Sequence, residues 1–298
     1  MKTSAFVIAA FLASGAYAAE PSYDVVIRGG TIYDGTGSQG FVGDVAVKGD
    51  AIAAIAPHVA GKGKTEIDAK GKAVSPGFIN MLSHVEESLF VDGRALSDLQ
   101  QGVTLEVLGE DSMGPLTPEM KKAMTDRQID VKYDVTWNTL GQYLDTLEAK
   151  GISPNLASFV GAGTVRVNLL GEKDVQPTPE QLVAMQKLVN QSMEEGALGL
   201  TDALIYAPNT YAKTPELKAL AEVSGRCGGI YIAHMRSEGD RFLEAIDETI
   251  DIAKSSGAPA EIFHFKQAGK ENWAKLDPAI AKINDARAHG TRITADMY

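Results

Sequence analysis

The chain has 298 residues, 44% of them hydrophobic and 22% charged, a balance that excludes a disordered or fibrous protein and leaves room for two globular domains. Its formal net charge of -11, carried without a basic stripe, excludes nucleic acid and anionic membrane surfaces as expected partners. The one cysteine, Cys227, excludes an internal disulfide and is expected to lie buried in a core large enough to need no staple.

Lys2, the apolar residues 5–13 and Ala16-Tyr17-Ala18 form a basic end, a hydrophobic segment and a small-x-small cleavage site, the pattern of a signal peptide over residues 1–18. The expected location is therefore secreted, in the periplasm. The apolar run is too short to cross a bilayer, and no later stretch approaches the roughly 18 to 20 continuous apolar residues of a spanning helix, so no membrane span is expected.

Residues 19–72 carry β-prone runs at 24–28, 44–48, 51–55 and 65–68, separated by Gly-Gly, Asp-Gly-Thr-Gly, Gly-Asp and Gly-Lys-Gly, which predicts a small β-region. Gly29-Gly30 is not a nucleotide loop, because no Gly-x-Gly-x-x-Gly spacing is present and no helical pattern follows it. At 73–87, AVSPGFINMLSHVEE, the turn residues Ser75-Pro76-Gly77 lead into a short apolar run, the predicted first strand of a second region. An extended segment there would put Leu82 and His84 on one face and Met81 and Ser83 on the other.

Past that strand, apolar runs at 102–108, 155–160, 197–204, 229–234, 260–265 and 291–297 alternate with helical segments, the sequence form of a parallel α/β architecture. Thr117, Thr178 and Thr214 each precede a proline and are predicted N-caps, and Gln181 completes a capping box with Thr178. Leu243, Ile246, Ile250 and Ala253 predict a helix with one apolar stripe. Seven such strands predict a TIM-type (β/α)8 barrel over 73–298, truncated before strand eight, in preference to a doubly wound sheet. Polar residues recur at separate strand ends, as barrel sites require: Glu110 and Asp111, His234 and Arg236, His264 and Lys266, Asp296 and Tyr298.

His234 and His264 each close an apolar strand, so both imidazoles could face one metal from neighbouring strands, and two His with a carboxylate make a zinc set with a position left open. Spacing alone equally allows two hydrogen-bonding histidines. The surrounding stretches decide further. Residues 76–84 resemble the Pro-Gly-Phe-Ile-Asp-x-His-x-His signature of metal-dependent amidohydrolases, with Asn80 at the Asp, Leu82 at the first His and His84 at the second. GGIYIAHMRSEGDRFLEAIDE and EIFHFKQAGKENW are similar to the strand-five and strand-six signatures of N-acyl-D-amino-acid deacylases, and YDVVIRGGTIYDGTG, GVTLEVLGE, ALGLTDALIYAP and ITADMY extend the resemblance from Tyr23 to the last residue.

The resemblance implies an N-terminal β-sandwich portion beside the barrel, and zinc held by His234 and His264. The family's Cys ligand falls in the turn where this chain has Glu110 and Asp111; Glu110 has the longer reach, Asp111 the simple register. With Leu82 at the first-strand His, one zinc per chain is expected, and His84 either meets the metal site or packs at the strand end. Lys266, Tyr206 and Tyr298 match family positions that hold the substrate carboxylate, whereas Arg236 and Glu238 are expected to brace their loop. The implied reaction is hydrolysis of the amide of an N-acyl-D-amino acid, zinc-activated water attacking the acyl carbonyl, with a strand-eight Asp beyond residue 298 as general base. The expected partner is thus a small carboxylated amide, and the 298 residues alone are expected to be an inactive piece of a longer enzyme. A hydantoinase-like or dihydroorotase-like cyclic-amide hydrolase is the alternative within the fold, and a degenerate, non-catalytic ligand-binding barrel the alternative outside enzymes.

Overall fold

The computed structural model of the protein describes residues 22–297 and divides into two compact units, the first ending at Pro76 and the second beginning at Gly77. Residues 1–18, expected from the sequence to be a signal peptide, and Tyr298 lie outside the described residues.

The first unit is built on one mixed sheet in the order β3-β2-β1-β4, with β5 also on β1: β1 Tyr23–Ile32, β2 Phe41–Lys48, β3 Ala51–Ala56, β4 Gly63–Asp68 and β5 Ala73–Val74. Pairing is antiparallel from β1 to β2 to β3 and parallel from β1 to β4 and β5. Buried Asp44 organises one end of it, accepting from the Gly29 and Val59 amides at 2.9 and 3.0 Å and from Arg28 at 2.9 Å. Ala73 and Val74 were expected to open the barrel strand; instead they pair with Thr31 and Ile32. The turn residues Ser75-Pro76-Gly77 break the run in two, so the unit extends four residues past the expected boundary.

The second unit alternates strands and helices. Its strands are β6 Phe78–Ser83, β7 Val103–Leu108, β8 Asn155–Ser158, β9 Val160–Gly161, β10 Gly199–Ala203, β11 Ile230–His234, β12 Ala260–Ile262 and β13 Ile293–Ala295. They form two parallel sheets, β6-β7-β8 and β9-β10-β11-β12-β13. β8 and β9 are consecutive pieces of one strand position, joined through Phe159, whose N–H donates to Leu108 O. Seven parallel positions therefore follow one another in chain order, at the seven places the sequence pattern marks.

The helices are α1 Leu96–Leu99, α2 Pro118–Arg127, α3 Leu140–Lys150, α4 Ala162–Leu170, α5 Pro179–Glu194, α6 Thr214–Arg226, α7 Phe242–Ser256 and α8 Leu276–Ala288. Thr117 and Thr178 cap α2 and α5 through side-chain oxygens, and Gln181 closes the capping box. Thr214 does not cap α6: it is that helix's first residue, and its hydroxyl donates instead to Glu248 on α7 at 2.7 Å. Cys227 is exposed, because it falls in the turn that ends α6 rather than on the buried face. Among the described residues no helix is long and apolar enough to cross a membrane.

Side-chain alternation sorts each strand's residues between two cores. Val107, Phe159, Ile232 and Phe263 form an inner cluster with Leu105, Ala157 and Ile230, while Leu108, Val160, Leu200, Tyr231 and Ile262 face the helices in the larger core. The exception is β6, where a register shift between Asn80 and Ser83 brings both Met81 and Leu82 against the inner cluster. Leu82 therefore packs against the inner cluster, and His84 lies past the end of the strand.

Candidate metal centre

The site forms where β7, β11 and β12 end. Gly109 follows β7 at a point with no room for a side chain, since a Cβ there would come within 2.6 Å of Phe263 Cζ. Glu110 comes next at φ +65°, its N–H donating to the hydroxyl of fully buried Thr201 at 3.0 Å. His234 is the last residue of β11, carried to the inner face by its alternation with Ile230 and Ile232. β12 stops at Ile262, three residues before the expected end at Phe265, and His264 turns out of the strand at φ +38° with its N–H donating to Asp296 Oδ1. Among the described residues the non-glycine residues at positive φ are Ala95, Glu110 and His264, so two of these three costly backbone conformations serve one site.

Glu110 Oε1 lies 2.6 Å from His234 Nδ1 and 3.5 Å from His264 Nε2, and the two nitrogens are 3.1 Å apart. The imidazoles meet edge to face and are 5% and 8% exposed, so their facing atoms are shielded from competing water. Donors around a tetrahedral zinc at about 2.0 to 2.2 Å stand roughly 3.3 Å from one another. Two of the three separations match, and the third is a charge-assisted hydrogen bond that a cation would replace. Burial pushes the Glu110 carboxyl up, but its hydrogen bonds to and attraction for His234, with smaller help from His264 and His84, outweigh that and lower it. The donor set of one carboxylate and two imidazoles suits zinc and leaves a position open.

The His264 tautomer is set from behind. Glu238 Oε1 sits 3.0 Å from His264 Nδ1, and Lys266 Nζ approaches the same nitrogen at 2.9 Å and Glu238 at 2.6 Å. If His264 Nδ1–H donates to Glu238, Nε2 keeps its lone pair for a metal; if Lys266 donates to Nδ1, the ring proton moves to Nε2 and ligation is lost. The metal-ready arrangement is therefore the one in which the Lys266 ammonium donates a hydrogen bond to the Glu238 carboxylate. Glu238, expected only to brace its loop, contacts the site itself, and its position four residues after His234 is the signal that sequence reading passed over. Arg236 does brace, bonding Glu248 and the carbonyls of Thr210 and Ala212. Thr201 and Asp296 act by accepting from backbone amides; Asp296 is one of the strand-end polar residues of the sequence pattern, whereas Thr201 carries no such signature.

The remaining expected residues divide. Asp111 is outside the cluster: the β7 turn sends it away from the histidines, where it accepts from Asn209 Nδ2 at 3.3 Å. Its side chain reaches solvent, yet the surrounding protein, more than the charge of Glu110, pushes its carboxyl up. His84 lies just past β6, exposed, near enough to act on Glu110 through its charge but not among the three converging donors. Two residues on, partly buried Glu86 is pushed up to about 7, by burial first and then by the charges of Glu87, Glu110 and Asp111. Tyr206 is 56% exposed and lays its ring edge against His234, centroids 5.1 Å apart. Lys266 lies past the end of β12 and folds back onto His264 and Glu238.

No protein-family model matches the chain. N-acyl-D-glutamate deacylase of Alcaligenes xylosoxydans xylosoxydans is 31% identical to it over 277 residues, covering 92% of this chain and 56% of the relative. A crystal structure of D-aminoacylase, described as defining a novel subset of amidohydrolases, superposes with a TM-score of 0.85 at 32% identity over 93% of this chain and 58% of that one. Over most of its length the chain is thus similar to D-aminoacylases of the amidohydrolase superfamily. A second neighbour, N-acyl-D-glutamate deacylase from Bordetella bronchiseptica complexed with zinc and a phosphonate mimic of the tetrahedral intermediate, superposes at 0.84 with 28% identity, again over 93% of this chain and 58% of that one. The fold is thus that of the D-aminoacylase TIM barrels, and the chain spans just over half the length of these relatives.

Proposed function

We propose that the protein is a zinc-dependent deacylase of N-acyl-D-amino acids. The observation that carries this reading is the convergence of Glu110, His234 and His264 in a chain similar to D-aminoacylases. These three residues would hold one zinc. When bound there, zinc supplies Lewis acidity, which polarises a carbonyl and makes water nucleophilic near neutral pH. Glu238 holds His264 in the ligating tautomer, Thr201 fixes the turn that aims Glu110, and Asp296 holds the backbone of His264. Lys266, 35% exposed beside the site, orients the substrate carboxylate while sharing its charge with Glu238, and Tyr206 forms the adjoining wall.

The same reading takes the seven parallel positions as part of a (β/α)8 barrel, the first unit as half of a β-sandwich, and residues 1–18 as an export signal placing the protein in the periplasm. The test is hydrolysis by the full-length protein. Zinc-loaded protein should release the amino acid from N-acetyl-D-amino acids and not from the L-enantiomers, and lose that activity with chelation. Zinc-loaded, folded protein that cleaves no N-acyl-D-amino acid would overturn the reading, and cleavage of cyclic amides alone would favour the hydantoinase-like alternative.

A further inference from the structure

α2 is amphipathic but has no buried residue: Met120, Ala123 and Met124 form a stripe at three-four spacing that is only partly covered. The stripe lines a cavity of about 580 Å³ together with Val167 of α4, Asp111, Asn209 and the Arg127–Glu172 ion pair. That volume falls within the roughly 300 to 1,000 Å³ of small-molecule sites. Two chain segments of the cavity wall are continuous in sequence with residues of the metal centre. Asp111 directly follows Glu110, and the loop that places Tyr206 against His234 continues into Pro208 and Asn209 of the cavity wall. The wall also depends on a missing side chain, since a Cβ on Gly163 would come 2.2 Å from Asn209 Oδ1.

We propose that this cavity is the acyl subsite, and that it takes a medium-length aliphatic acyl chain. The inference rests on the deacylase reading and adds the class of acyl group. In an N-acyl amino acid the carboxylate and the acyl chain leave the amide in opposite directions. Lys266 follows β12, whereas the cavity is walled by segments that follow β7, β9 and β10, so a carboxylate at Lys266 directs the acyl chain across the three donors toward α2. Unbranched, polarisable methionines line the path, which suits a flexible chain better than a rigid ring.

The experiment compares N-acetyl and N-octanoyl derivatives of one D-amino acid with full-length, zinc-loaded protein, and titrates octanoate into metal-free protein by calorimetry. The octanoyl compound should be favoured in kcat/KM by about 100-fold, the scale expected when six further methylenes are partly removed from water. Ala123→Phe, which fills the cavity from a helix with no buried residue, should cut that ratio by about tenfold and weaken octanoate binding in parallel; Val167→Phe should do the same from α4. If the acetyl compound is hydrolysed but the octanoyl compound has no advantage, or if neither variant changes the ratio, the subsite is wrong while the deacylase reading stands. If neither compound is hydrolysed by folded, zinc-loaded protein, the deacylase reading itself has failed and the acyl subsite falls with it.

Discussion

Replacing Glu238 by Gln should weaken zinc binding by about 10- to 100-fold, or about 1.4 to 2.7 kcal/mol, the usual cost of removing the partner that orients a ligating histidine. The geometry places the loss near the upper end. Gln keeps an oxygen that can accept from His264 Nδ1 across 3.0 Å, but it gives up the charge that makes this bond strong and that now neutralises Lys266 at 2.6 Å. Released from Glu238, Lys266 is still 2.9 Å from His264 Nδ1, where its donation favours the tautomer that cannot bind metal. A second substitution separates the two effects: in Glu238→Gln/Lys266→Met the competing donor is gone, and about half of the lost binding energy should return. Zinc affinity would be read by competition with a chromophoric chelator on the full-length protein, with thermal unfolding of the metal-free forms as the control for fold. An affinity within threefold of the parent in Glu238→Gln would refute the orienting role, and a double variant no better than the single one would refute the competition from Lys266.

Lys266→Met alone should raise KM for an N-acyl-D-amino acid far more than it lowers kcat, and should leave the neutral ester of the same substrate little changed; an equal slowing of both would put Lys266 in support of the metal site instead. Asp44→Asn should destabilise the first unit by about 2 to 3 kcal/mol, seen as faster hydrogen exchange at Gly29 and Val59, because one of the two acceptor oxygens is lost. For the parent protein, burial pushes the Asp44 carboxyl up but Arg28 and the Val59 and Gly29 amides bring it down to about 2. Its stabilisation is therefore full above about pH 4, the unfolded value, and is lost as pH falls through about 2; exchange protection at these amides that stays constant from pH 5 to pH 2 would contradict this. Glu106 of β7 is fully buried with neither carboxylate oxygen hydrogen-bonded among the described residues, so Glu106→Leu should raise stability by about 1 to 3 kcal/mol in urea unfolding, and a loss of stability would reveal a partner it serves.

Which parts of this molecule can be read from its residues follows from the range of the forces that place them. The seven strand positions and two of the three marked helix starts depend on local apolar period and capping chemistry, and those were legible. Thr214 misled because a capping hydroxyl can be recruited by a neighbouring helix, here through Glu248, which no local pattern contains. His234 was legible for the same reason as its strand: alternation with Ile230 and Ile232 carries it inward to the very end of β11. His264 and Lys266 were legible only as residues, because the alternation that would aim them has stopped at Ile262. Their directions come from a positive φ at His264 and from Asp296, 32 residues away, which accepts its amide. The consequence is functional. A lysine on the inward face of a strand would meet substrate as a bare charge, whereas a lysine on a turn, already bonded to Glu238, meets it as half of an ion pair. A carboxylate can be selected there only at the cost of part of that bond, and the same shift of charge bears on the tautomer of a metal ligand. In the proposed deacylase, recognition of the substrate and readiness of the metal site would thereby be coupled through one glutamate.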